Sequence, residues 1–150
     1  MATKPFYRKI TLLDLDELFT VRTSVRENVL TINELAKLGI TPESTAGSLG
    51  RSLDGFLCEL SGRVVGFSIA DVKAGELSVI AVLPEYEGRG IGRELLRLSE
   101  DLAWAAGHES IWLWTGVDRS TRALRLYRNA EWIETGVSGD RLYMKKFRPA

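Results

Sequence analysis

Gly88-Arg89-Gly90-Ile91-Gly92 follows an apolar run ending at Val82 and precedes a stretch with helical periodicity. Glycines at alternate positions let backbone N–H groups converge on an anion, and a helix opening at about Gly90 adds the positive end of its dipole. The stretch reads as a cradle for a pyrophosphate, to which Arg89 and Arg93 add charge. It does not fit either common nucleotide loop. A dinucleotide fingerprint belongs in the first βα turn of its fold, with an acidic residue about 20 positions later; here strands and hairpins come first. A nucleotide-hydrolase loop has Lys-Ser or Lys-Thr after its last glycine, where this chain has Arg93-Glu94.

The elements that hold this loop follow from periodicity and turn chemistry. Residues 6–10 predict a strand, and 14–26 a helix carrying Leu15, Leu18, Phe19, Val21, Arg22 and Val25 at helical spacing. Thr31 and Glu34 form a capping-box pair that opens a short helix ending near Gly39, and Thr41-Pro42 opens another. Residues 55–60 and 63–72 read as a hairpin about Ser61-Gly62, and Ala74-Gly75 turns the chain into a strand over 76–82. A helix over 90–106 puts Leu95, Leu98 and Leu102 inward and stops at Gly107. A strand at 110–115, a helix at 120–130 and paired strands at 132–137 and 141–147 complete the order βααα-βββ-αβ-αββ. The fold class is α/β in the α+β sense: a mixed, mostly antiparallel sheet flanked by helices.

The 150 residues suit a single domain burying roughly 68–70% of its unfolded surface. Twenty basic and twenty acidic residues cancel, which argues against a general nucleic-acid binder. Cys58 is the only cysteine, so an intrachain disulfide and a cysteine-built zinc site are excluded, and a reducing cytoplasm is the expected setting. No stretch approaches the ~20 apolar residues of a membrane span. His108 is the single histidine, reads as a loop residue, and leaves little basis for a hydrolase triad or metal catalysis.

Glu87-Gly88-Arg89-Gly90-Ile91-Gly92 resembles motif A of the GNAT superfamily, the acyl-CoA-dependent N-acyltransferases, whose pattern is Arg/Gln-x-x-Gly-x-Gly/Ala after a strand and a Pro-containing loop. Glu87 departs from it. Residues 123–132, Ala-Leu-Arg-Leu-Tyr-Arg-Asn-Ala-Glu-Trp, resemble the family's Ala-x-x-Leu-Tyr-x-x-x-Gly-Phe segment, with Glu131 in place of Gly. Together the resemblance spans residues 55–147. It implies the same mixed-sheet fold, acetyl-CoA as cosubstrate without a metal, and transfer to a primary amine in a ternary complex. It allows a homodimer and involves neither nucleic acid nor membrane. The implied cofactor contacts are backbone groups of Ile80, Ala81 and Val82 on the pantetheine arm, and Gly88, Arg89, Gly90, Ile91, Gly92 and Arg93 on the pyrophosphate. Ser120 stands where the family often has Asn on the pantetheine; alone, it reads as a helix N-cap.

Acetyl transfer to an amine needs the amine neutral, and a lysine-like pKa of ~10.4 makes deprotonation near pH 7 cost ~4 kcal/mol. A carboxylate can take that proton. Glu76 is the candidate: it begins the strand leading to the loop, with Ser78, Ile80 and Val82 on its face by alternation, and it lies six residues before Val82, as a catalytic Glu does in the histone acetyltransferase branch. The plainer alternative is a solvated strand end. Another branch places its base where Thr115 stands, which threonine cannot replace; Glu27 and water are the remaining options. The resemblance assigns Tyr127 as the acid for the leaving thiolate, against the alternative of a packed helix-face aromatic. For the acceptor, Arg22 and Arg26 share a predicted helix face next to Glu27 and Asn28 and suit a carboxylate-bearing amine, or else form an exposed charged face. Trp112 and Trp114 share a strand face, which suits core packing or, as the alternative, an acceptor wall formed by Trp114. Cys58, inside a hairpin strand, is not expected to carry an acyl group. A catalytically silent acyl-CoA sensor is the competing reading.

Overall fold

The computed structural model describes residues 4–27 and 30–150. Its elements are β1 (Phe6–Lys9), α1 (Leu15–Arg22), α2 (Ile32–Lys37), α3 (Pro42–Ser48), β2 (Leu53–Leu60), β3 (Arg63–Asp71), β4 (Glu76–Val82), α4 (Ile91–Ala105), β5 (Ser110–Gly116), α5 (Arg122–Asn129), β6 (Ile133–Ser138) and β7 (Arg141–Phe147). The expected order holds. One seven-stranded sheet runs β1-β2-β3-β4-β5-β7-β6, every neighbouring pair antiparallel except β4–β5.

Local chemistry explains most boundaries. Thr31 accepts from the Glu34 N–H at 3.1 Å while the Glu34 carboxylate accepts from Thr31 N–H at 3.2 Å, the reciprocal box read from sequence. Thr41 caps α3 in the same way with Ser44, ahead of Pro42. The predicted first helix is too long: α1 ends at Arg22, where Thr23 caps it, so Arg26 and Glu27 lie in a bend and Arg22 and Arg26 share no helix face. The Thr23 and Ser24 hydroxyls donate to Phe19 O and Thr20 O, and this local bonding competes with a further helical turn. Asn28 lies outside the described residues.

Strict alternation in β4 is also corrected. Ile69 pairs with Val79 and Ala70 with Leu77, so Ser78 is an extra residue and β4 bulges there. Only Glu76 pairs with β5, opposite Trp112, and the two parallel strands share no further register. The side of β4 beyond Glu76 that faces β5 is therefore an open row of backbone groups.

Two apolar clusters lie across the sheet. One gathers Leu18, Leu57, Val65, Phe67 and Leu95; the other gathers Leu77, Leu96, Ile111, Leu124 and Met144. Helix α4 serves both through the adjacent Leu95 and Leu96. Its inward line is Ile91, Leu95, Ser99 and Ala103, while Leu98 and Leu102, expected inward, are half-buried. Small residues bring the helix close enough for Ser68 Oγ to lie 2.5 Å from Ser99 Oγ and to donate to Leu95 O at 3.0 Å. Two ionic knots were invisible to periodicity. Glu100 accepts from Trp132 Nε1 at 2.8 Å and Lys146 Nζ at 2.7 Å. Arg8 joins Asp14 at 2.7 Å and Glu59 at 2.8 Å, holding the turn before α1 against β1 and β2. The Arg8 guanidinium keeps the Asp14 carboxyl low, at about 2.

Candidate active site

A cleft of about 1470 Å³ opens where β4 and β5 part, walled by α1, the α2–α3 region, the glycine loop and α5. Its floor includes Ile80, Ala81 and Val82, whose β5-facing side has no strand partner among the described residues.

At one end stands the glycine loop. Gly88 has φ +76° and Gly90 φ +82°, left-handed backbone that glycine adopts without strain. Gly92 lies inside α4, where an added Cβ would make only ordinary contacts with Leu126 and Val82 at 3.6 and 3.8 Å; the conformational demand is at the first two glycines. Gly90 is the N-cap of α4, and among the described residues no side chain caps that end. The first helical bond runs from Glu94 N–H to Gly90 O, so the earlier N–H groups are available to an anion. This donor set fits a pyrophosphate. Arg93 lines the cleft, but Arg89 does not: its guanidinium carbon lies 5.0 Å from the Tyr86 ring centroid.

Glu87, the departure from motif A, is neutralised by Arg26, which pairs with it from the α1–α2 bend, and by Arg122 Nε at 3.1 Å. Glu27 bonds the same corner by accepting from Arg122 N–H at 2.8 Å, the first residue of α5. Its carboxylate therefore caps a helix, a role that the sequence reading did not contain. Ser120 is not the N-cap: Thr121 is, accepting from Leu124 N–H at 3.3 Å, while Ser120 is exposed, donates to Asp118 at 2.6 Å and does not line the cleft.

Two groups suited to proton transfer face the same space. Tyr127 is 8% exposed, packs against Trp132 with ring centroids 6.1 Å apart, and burial pushes its phenol up to about 12, opposed by the charge of Arg22. Glu76 is half-buried; desolvation raises its carboxyl above the usual range, Asp71 adds to the rise and Arg141 opposes it. Arg22 also lines the cleft, with burial lowering its guanidinium.

The tryptophan face is not core. Ile111, Leu113 and Thr115 point into the buried side of β5, while Trp114 is 37% exposed and lines the cleft. Trp112 stacks on Tyr143 and donates to Ala74 O at 3.2 Å. Sequence reasoning missed Arg122 and Arg141. A cation at a helix start and another at a strand start carry no local signal of which cleft they border. Cys58 is fully buried in β2 and its thiol is raised by burial, outside the cleft. His108 sits in the expected loop, with Nε2 2.6 Å from Val72 O.

A family model described as the acetyltransferase (GNAT) family matches residues 31–131. An N-acetyltransferase of Methanocaldococcus jannaschii is 32% identical over 106 residues, which cover 64% of this chain and 46% of that protein. An amino-acid acetyltransferase of Pseudomonas putida is 30% identical over 136 residues, 85% of this chain and 30% of its own length. The chain thus spans less than half of either relative. Among solved structures, the PaiA N-acetyltransferase from Thermoplasma acidophilum, in complex with coenzyme A, superposes with a TM-score of 0.83 at 19% identity, covering 97% of this chain and 99% of its own. That likeness shows the fold.

Proposed function

The chain belongs to the GNAT acetyltransferase family, and from that premise we propose that it moves an acetyl group from acetyl-CoA to a primary amine by direct attack in a ternary complex. The observation that carries this reading is the meeting, in one cleft, of an uncapped helix N-terminus, an open strand edge, a buried phenol and a half-buried carboxylate. Residues 1–150 act as one acetyltransferase domain in this reading, and the cytoplasm is its setting. No helix among the described residues is long and apolar enough to cross a membrane.

The thioester supplies an activated acetyl group; the protein's residues supply the rest. N–H groups at Gly88, Arg89, Gly90, Ile91 and Gly92, with the Arg93 charge, hold the pyrophosphate. The open edge at Ile80, Ala81 and Val82 pairs with the extended arm as a further strand. Glu76 takes the ammonium proton, and its raised pKa brings it closer to that of the amine it must deprotonate. As the C–N bond forms and the C–S bond breaks, the nitrogen gives its second proton to solvent, and Tyr127 donates a hydrogen bond to the departing thiolate, which water then protonates. Arg89 contributes backbone only, and Ser120 has no part. Arg22, Glu27 and Trp114 border the acceptor space, and Arg26 acts through Glu87, holding the loop.

Titration calorimetry with acetyl-CoA and coenzyme A, followed by thiol release against a panel of amines, tests this. Cofactor binding with amine-dependent release supports it. Binding without release from any amine favours the silent sensor, and absence of binding refutes the pyrophosphate cradle.

A further inference from the structure

Arg141 opens β7 opposite Gly116 of β5, and its guanidinium carbon folds back to 4.0 Å from the centroid of the Trp114 ring. It is half-buried, lines the cleft, and forms no ion pair among the described residues. Arg26 and Arg122, which border the same space, are both engaged by Glu87. A guanidinium seated on an indole is held by its face, which leaves the N–H groups around its rim directed sideways for a planar two-oxygen partner. With no carboxylate paired to it among the described residues, the guanidinium has its charge-assisted donors open to an anionic ligand.

The position relative to Glu76 sets the kind of ligand. Glu76 lies opposite Trp112, and Trp114 stands two residues further along β5, roughly 7 Å away along the strand. Both side chains line the same cleft, and a backbone offset of that order places them where one small molecule carrying an amine and a carboxylate, with a hydrogen bond of about 2.8 Å at each end, can meet both. The two protein charges also sense one another, since Arg141 opposes the rise of the Glu76 carboxyl.

Resting on the acetyl-transfer reading, we propose that Arg141, seated on Trp114, is the specificity residue for the acceptor, and that the acceptor is an amino acid whose own carboxylate pairs with that guanidinium. The selecting cation is thus on the β6–β7 hairpin and not on the first helix, where the sequence directed attention to Arg22 and Arg26.

The test uses matched triples built on alanine, methionine, phenylalanine and glutamate: the amino acid, its α-carboxamide and its decarboxylated amine. Each is titrated calorimetrically into coenzyme A-saturated protein and assayed for thiol release from acetyl-CoA. At least one amino acid is expected to bind, and to show a kcat/KM, roughly ten- to hundredfold above its amide and amine, the size expected for a charge-assisted pair. Arg141→Gln should remove that preference through KM. Arg141→Lys, which keeps a charge near Glu76 but loses the planar fork, should retain part of it, and both variants should bind coenzyme A as the parent does. Amides or amines binding as well as the acids, or Arg141→Gln keeping the discrimination, overturns the anchor while leaving acetyl transfer intact. Selective binding of an acid without thiol release supports the anchor and refutes the transfer.

Discussion

Replacing Tyr127 with phenylalanine isolates one hydroxyl. The ring that packs against Trp132 at 6.1 Å remains, so the core around α5 is retained. With the phenol at about 12 and a thiol near 8.5, complete proton transfer to the leaving thiolate is uphill by about three and a half pH units, roughly 5 kcal/mol. In the proposed transfer the hydroxyl would therefore act as a hydrogen-bond donor to developing charge and not as a full acid. A hydrogen bond to a charged group is worth about 1.5–3 kcal/mol, which converts to a loss in kcat of roughly 10- to 150-fold. The assay is steady-state thiol release from pH 6 to 10 for parent and Tyr127→Phe, with calorimetric affinity for coenzyme A. The two pH profiles should run parallel and displaced, because the phenol stays protonated throughout, and coenzyme A affinity should change by less than about threefold. Equal kcat would remove Tyr127 from the mechanism. An alkaline fall below pH 10 in the parent, absent from the variant, would refute the reasoning from burial.

Glu76→Gln should lower acetyl transfer by roughly 10²–10⁴-fold. Because the folded pKa is raised, Glu76's contribution to stability is present below its unfolded pKa and lost as pH rises through the folded one; the variant should melt no lower than the parent at pH 7–8, and a lower melting point would mark Glu76 as structural. Asp14→Asn should destabilise by about 2 kcal/mol at neutral pH, roughly 4–8 °C in Tm, since the native carboxyl at about 2 lies well below its ordinary value. That stability is present above pH ~4 and is lost as pH falls toward 2, so thermal unfolding of the two proteins should converge there; a constant gap would refute the linkage. Glu131 sits at φ +72° between α5 and β6, with Trp132 N–H bonded to Tyr127 O and Glu131 N–H to Arg128 O, both at 3.0 Å. Glu131→Gly should therefore stabilise by about 1 kcal/mol and raise Tm by roughly 2–4 °C; an unchanged or lower Tm would contradict the strain.

What could be read from the sequence was local. The capping pairs at Thr31 and Thr41, the Ser61-Gly62 hairpin turn and the Gly88/Gly90 loop each carry their cause within four residues, and each was found where it was read. Glu131 belongs with them: the family's glycine at this place answers the left-handed backbone that this chain adopts with glutamate. What escaped depended on partners far along the chain. Nothing near Ser99 reports Ser68, nothing near Glu100 reports Lys146, and the bulge at Ser78 exists only through the pairing of β3 with β4. The site divides the same way. The glycine loop was legible because one short segment makes it, whereas the rest of the cleft draws on α1, β5 and β7 at once, and Arg141 takes its place on Trp114 only when β7 lies beside β5.

An ordinary open sheet has two borders, both on the outside. Because β4 and β5 meet at one residue pair and then part, this sheet has additional inner borders in its middle. Exposed strand borders invite foreign chains to pair with them. Here the invitation is issued inside a walled cleft, so in the proposed reading the backbone feature that elsewhere promotes aggregation would serve as a keyed slot for one thin, extended guest. In hydrogen exchange, amides on that side of β4 should behave like those of a surface strand despite their central place in the sheet, and slow only when the slot is filled.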